Sequence, residues 1–166
     1  AFRQLVQDFA LLYQVELEEH ELLLFCQTSC WSQSILDIHT NPIRQTYQAL
    51  SAVLGGANVL WVKPLAEESA TTQERRIARN VSAILKEEAY LDKVQDPAAG
   101  SYFLENLVVD LVKETQASLT LLEQEGGWWK ACQTGALQDR IKTHRGKIQR
   151  ELLDKSRLKV GANAFT

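Results

Sequence analysis

Two short, continuous apolar stretches of this chain read as strands rather than as parts of a helical pattern. Leu22-Leu23-Leu24-Phe25-Cys26 leads into the polar Gln27-Thr28-Ser29, and Val59-Leu60-Trp61-Val62 stops before Pro64. Apolar runs of this length without alternation suit strands buried on both faces, as in a parallel sheet. Between them, Asn41-Pro42 reads as a helix entry, with Asn at the N-cap and Pro at the first helical position. Ile43, Tyr47, Leu50, Val53 and Leu54 then recur on one face, and Gly55-Gly56 stops the helix. Strand, helix and strand in this order predict two parallel strands joined by a crossover helix. Two strands cannot close a barrel, and a lone two-stranded sheet is marginal in water. The pattern therefore expects further strands from elsewhere.

The rest of the chain reads as helix. Phe2, Leu5, Val6, Phe9, Leu12 and Tyr13 fall at helical spacing, predicting a first helix to about Val15. A long helix is expected from Thr72 to Leu91, and Asp96-Pro97-Ala98-Ala99-Gly100 is a turn. Residues 102 to 125 are the strongest helical segment, with Phe103, Leu107, Leu111, Ala117, Leu121 and Leu122 near one side. Gly126-Gly127 ends it. A short helix at Trp128–Cys132, a basic helix from Leu137 to Lys155 and a short, extended tail at Leu158–Phe165 follow. The expected class is α/β and predominantly helical.

Charge and composition exclude several roles. The 18 basic and 21 acidic side chains are interspersed, which gives no footprint for nucleic acid. No apolar run approaches the roughly 20 residues that span a bilayer. Three cysteines, Cys26, Cys30 and Cys132, are an odd number and fit a reduced, cytoplasmic protein. The chain holds no Met and starts inside an amphipathic pattern, so it is expected to be a fragment or a processed chain.

The motifs that carry chemistry are few. Asp37-Ile38-His39-Thr40-Asn41 matches the opening of a D-x-H-x-x-G motif for a cobalt-ligating His, but Pro42 stands where Gly belongs. Cys26 and Cys30, with His20 and His39 nearby in sequence, lack the second ligand pair of a structural zinc site. No metal site is expected. Glu87-Glu88 are adjacent on a helix and do not face one another. No nucleophile, base and orienting group can be assembled, so no catalytic residue is named. Trp128-Trp129, two large aromatics after a Gly-Gly stop, are candidates for a subunit interface.

A set of segments in fixed order resembles the methylmalonyl-CoA mutase family. They are Cys26-Gln27-Thr28-Ser29 with Trp31-Ser32, Asn41 with Arg44 and Ala49, and Leu54-Gly55-Gly56. Further on come Arg76-Ile77-Ala78-Arg79-Asn80, Glu87-Glu88, Asp96-Pro97 with Gly100-Ser101-Tyr102, Glu125-Gly126-Gly127, Gly135, Arg140-Ile141, and Val160-Gly161 with Asn163. The resemblance implies an adenosylcobalamin-dependent radical isomerase that interconverts methylmalonyl-CoA and succinyl-CoA. It implies a (β/α) barrel threaded by the acyl-CoA, with function at the carboxyl ends of the strands. Residues 1–95 would then be the last part of the barrel and 96–166 the helical extension after it.

The departures point to the small, non-catalytic (beta) subunit. Where catalytic chains carry Arg-Ala-His before Cys-Gln-Thr-Ser, this chain has Leu23, Leu24 and Phe25. Where they carry a Gln facing the corrin, it has Leu36; where they carry His-Thr-Asn at the last strand, it has Trp61-Val62-Lys63. Apolar groups cannot orient a carboxylate, thioester or ribose. Glu67 stands near a coenzyme-contacting acid of the family, but the spacing around it differs, so no role is carried over to it. The resemblance thus implies a structural partner that pairs with a catalytic subunit as a heterodimer, inactive alone and without bound cofactor. Gln27, Thr28 and Ser29 are the residues placed to touch an acyl-CoA if a working site survives. A self-associating helical domain without catalysis is the reading outside the family.

Overall fold

The computed structural model describes residues 1–18, 21–65 and 68–165. The elements follow in the order α1 (Phe2–Leu12), β1 (Phe25–Gln27), α2 (Asn41–Leu54), β2 (Val59–Trp61), α3 (Thr72–Glu87), α4 (Tyr102–Gln124), α5 (Gly127–Gln133) and α6 (Ala136–Leu153). The chain is mostly helical with a small parallel sheet, the class expected from sequence. It divides into two compact units. One holds residues 1–17 and 100–159, the other residues 18–99 and 160–166.

In the second unit, β1 and β2 pair in parallel, with Phe25 opposite Val59, Cys26 opposite Leu60 and Gln27 opposite Trp61. α2 is the crossover between them. Its Ala49, fully buried, lies at the centre of a core completed by Val62 and by Ala78, Val81 and Leu85 of α3. Leu50, Val53, Leu60 and Leu91 pack against this cluster. α3 opens on a reciprocal capping box: the Thr71 hydroxyl accepts the Glu74 N–H, and the Glu74 carboxylate accepts the Thr71 N–H.

Three sequence expectations change here. The strands are not buried on both faces: Phe25, Val59 and Trp61 are exposed, because α2 and α3 cover only the Leu60 side. The buried stripe of α2 is Asn41, Gln45 and Ala49, while Ile43 and Tyr47 are exposed. A small residue lets the helix approach the sheet closely, and two amides beside it find hydrogen-bond partners, so polar side chains go inward. Asn41 is also not the N-cap. It is the first helical residue, after Thr40, and its amide is used elsewhere.

In the first unit, α1 packs on α4, and α4, α5 and α6 pack in succession. Ser101 caps α4 by accepting the Leu104 N–H. Gly126 takes φ +103 at the turn into α5, a conformation that side chains disfavour. The expected apolar side of α4 is largely uncovered: Phe103, Leu107, Leu111 and Leu121 are exposed, and Val112 is the buried residue of this helix. The tail does not run extended. It closes a turn in the second unit, bridging Val160 to Ala164. Among the described residues no helix is long and apolar enough to cross a membrane.

Candidate functional site at the carboxyl ends of the strands

β1 and β2 end side by side, and the loops after them line an open pocket of about 430 Å³. Its lining includes Gln27, Thr28, Ser29, Trp31, Gln33 and Lys63. The three residues singled out from sequence for substrate contact therefore stand together at this mouth. Their side chains differ in what they have left to offer. Thr28 is buried, and its hydroxyl accepts the Lys63 N–H at 2.9 Å while its own N–H donates to the Trp61 carbonyl at 3.1 Å. It ties the two strand ends together. The Ser29 hydroxyl accepts the Trp31 N–H at 3.2 Å, capping the 3₁₀ turn Cys30–Ser32. Gln27 is exposed.

α2 supplies the scaffold beneath this mouth. Gln45 donates to the Lys63 carbonyl at 2.7 Å, fixing the exit of β2. Gln48 accepts the Ser29 N–H at 2.7 Å and donates to the Ser32 hydroxyl, fixing the exit of β1. Arg44 donates to Thr40, to Asn41 and to the Val160 carbonyl. Asn41 accepts the Ser34 N–H and donates to the Ser34 carbonyl, each at 2.8 Å. Asn41, Arg44 and Val160-Gly161, quoted separately for the family resemblance, thus meet at one place. Gln45 and Gln48 were not singled out from sequence, and Lys63 was noted there only as a replacement at the last strand. The signal for the first two was available: two glutamines three apart on a helix that otherwise needs its inward face.

Lys63 Nζ lies over the Trp61 ring, 5.2 Å from its centroid, a cation–π contact. His39 is exposed, and its backbone N–H donates to Asp37 Oδ1 at 3.1 Å. Asp37 is the cap of the 3₁₀ turn Ile38–Thr40, so the D-x-H triplet is built as a turn. Cys26, Cys30 and Cys132 are free thiols, and no three His, Cys, Asp or Glu side chains among the described residues converge. His20 and Glu67 lie outside the described residues. In the other unit Trp128 and Trp129 of α5 are 60% and 72% exposed, the placement that an interface role needs.

The methylmalonyl-CoA mutase family model matches residues 1–166, and the chain belongs to that family. It is 37% identical over 143 residues to "Methylmalonyl-CoA mutase" of Escherichia coli (strain K12), covering 84% of this chain and 20% of that protein. It is 31% identical over 140 residues to "Methylmalonyl-CoA mutase small subunit" of Porphyromonas gingivalis, covering 83% of this chain and 23% of that protein. The mitochondrial methylmalonyl-CoA mutase of Bos taurus is 35% identical over 142 residues, covering 84% of this chain and 19% of that protein. The chain spans about a fifth of the length of the curated relatives it matches.

Proposed function

We propose that this chain is part of a structural small subunit of an adenosylcobalamin-dependent acyl-CoA mutase, cytoplasmic, which pairs with a catalytic subunit. Residues 1–95 would be the last part of a (β/α) barrel and 96–166 its helical extension. The observation that carries this reading is at the strand ends. Thr28 and Ser29 keep the family residue types, yet their hydroxyls are engaged by backbone groups. Two positions at which the resemblance gives catalytic chains a polar side chain hold the apolar Leu36 and Trp61. In this reading the mouth's hydroxyls serve its own loops, and the polar groups left on its lining, Gln27, Gln33 and Lys63, do not make up the set that orients the carboxylate and thioester of an acyl-CoA.

The residues present do not fit a corrin. Asp37 caps the turn in which His39 sits, and the loop beside them turns Trp31, Ile35 and Leu36 outward. In this reading the cobalamin belongs to the catalytic subunit. Co-expression of the full-length gene product with a catalytic mutase subunit tests it. The expected result is stable co-purification, with no isomerase activity and no micromolar binding of a CoA thioester by the product alone. Isomerase activity of the product alone would sink the reading.

A second reading is a helical domain that associates through Trp128 and Trp129, favoured by their exposure. Sedimentation decides it: a dimer that Trp128→Ala with Trp129→Ala returns to monomer supports it, and a monomer at all concentrations removes it.

A further inference from the structure

Residues 140 to 150 of α6 carry five Lys or Arg side chains and no Asp or Glu, in a chain of formal net charge -3. The cations stand on the solvent side of the helix. Leu137, Ile148 and Leu152 are half-buried, and α6 packs on α5, while Arg140, Lys142, Arg145, Lys147 and Arg150 are exposed. Arg140 is paired with Glu125, and Lys147 reaches Glu151 at 3.9 Å. Lys142 lies 3.7 Å from Asp139, with its side chain 77% exposed. Arg145 makes no ion pair among the described residues.

Gly146 stands inside this run. A Cβ added there would meet nothing within 4 Å beyond its chain neighbours and its own helix backbone. The packing of the chain therefore does not require a glycine, and glycine weakens a helix interior relative to alanine. What a missing side chain gives is close access to the backbone from outside. Lys142, Thr143, Gln149 and Arg150, three or four positions away and all exposed, ring the opening. Each carries a hydrogen-bond donor, and two are cations.

The kind of partner follows from this pattern. A bilayer needs a free apolar stripe, and the apolar line of α6 is turned toward α5. A nucleic-acid backbone presents an unbroken row of negative charge, and the exposed Asp139 and Asp154 bracket the run and repel it. The run itself is only about 15 Å long, from the rise of a helix. A protein face matches that length, with carboxylates for the cations and its own cations for the bracketing acids. Such mixed-sign complementarity fixes register and partner.

We propose that the α6 face around Gly146 docks an acidic face of the catalytic subunit, whose backbone seats over the glycine while its carboxylates meet Lys142, Arg145 and Arg150. The inference rests on the reading above that the parent chain pairs with such a subunit.

The test is the association kinetics of the full-length gene product with the catalytic subunit, with the thermal midpoint of the product alone as a second readout. Gly146→Ala is expected to raise the midpoint, because alanine is the better helix former, and to weaken binding on the order of tenfold, because a methyl group then stands in the contact. Lys142→Glu with Arg145→Glu is expected to slow association on the order of tenfold and to flatten its salt dependence, without lowering the midpoint. A lower midpoint for Gly146→Ala gives the glycine to the fold and overturns the proposal. Binding of a DNA duplex or of phosphatidylserine vesicles that the double variant loses, while it keeps the subunit, assigns the face to that polyanion and overturns it as well. Two failures remain distinct. A wild-type product that binds no catalytic subunit removes the reading beneath the proposal, and variants that bind the subunit as the wild type does remove only the assignment of this face.

Discussion

Ser34 Oγ and the Gly161 carbonyl are 2.7 Å apart, a hydrogen bond between residues 127 positions apart in sequence. It seats the last turn of the chain on the loop after β1. Gly161 holds φ +65 there, and a Cβ added to it would come within 2.7 Å of Asp37 Cβ and Oδ2. Gly161→Ala is expected to destabilise the second unit by about 1–3 kcal/mol, from the left-handed backbone and the close approach together. Urea unfolding measures the loss. In an Asp37→Gly background, which lacks the crowding atoms, Gly161→Ala should cost less than it does in the wild type, since only the backbone strain remains.

Asn41 satisfies both backbone groups of the buried Ser34. Asn41→Ala leaves that N–H and carbonyl without these partners, each a penalty of about 1–3 kcal/mol. Asn41→Asp keeps the acceptor and loses the donor, so its midpoint in a denaturant titration should fall between the wild type and Asn41→Ala. Equal stability of all three chains would mean that water replaces the amide at this place.

The core and the open face of α2 should respond in opposite ways. Leu85→Ala removes a buried side chain from the cluster around Ala49 and is expected to lose about 2–5 kcal/mol. Ile43→Ala and Tyr47→Ala, at exposed positions, should each change the stability of this chain by less than about 0.5 kcal/mol. Thermal unfolding of the three variants gives the comparison, and a large loss at Tyr47 would contradict the observed helix face.

The Glu74 carboxyl is held below its ordinary value of 4.5, first by the Thr71 backbone N–H and then by the Thr71 hydroxyl. A depressed carboxylate stabilises the fold at pH above its unfolded value, and that contribution is lost as pH falls through the folded value. A carbon-detected NMR titration should place the Glu74 midpoint below 4.5. Thr71→Ala should raise it only partway, because the backbone donor stays. At Asp154 the order of causes is reversed, with the Ser156 hydroxyl ahead of its N–H. Ser156→Ala should therefore remove the largest single cause of that depression and leave the Ser156 N–H and Arg150 to hold the rest.

The elements themselves were legible because short signals mark them. Two apolar runs, Pro42 and two Gly-Gly pairs place strands and helix ends within a few residues of where they stand. Faces were less legible. Ile43 and Tyr47 look like a core stripe by periodicity, but Asn41 and Gln45 are buried because Ser34 and Lys63 present backbone groups to them. Those partners come from other segments, so local spacing cannot reveal them. The strand faces were misjudged for a related reason. Apolar runs report what a residue would do if covered, and among the described residues Phe25 and Val59 are left exposed. At the mouth, Gln27, Thr28 and Ser29 were found by motif, while Gln48 and Lys63 carry no motif.

The backbone passes between the two compact units three times, at about residues 17, 99 and 159. No single cleavage can then separate them. A cut in the turn at residues 96–100, where the sequence reading divides barrel from extension, would leave both products with a torn unit. Such interleaving makes each unit depend on the backbone of the other remaining whole.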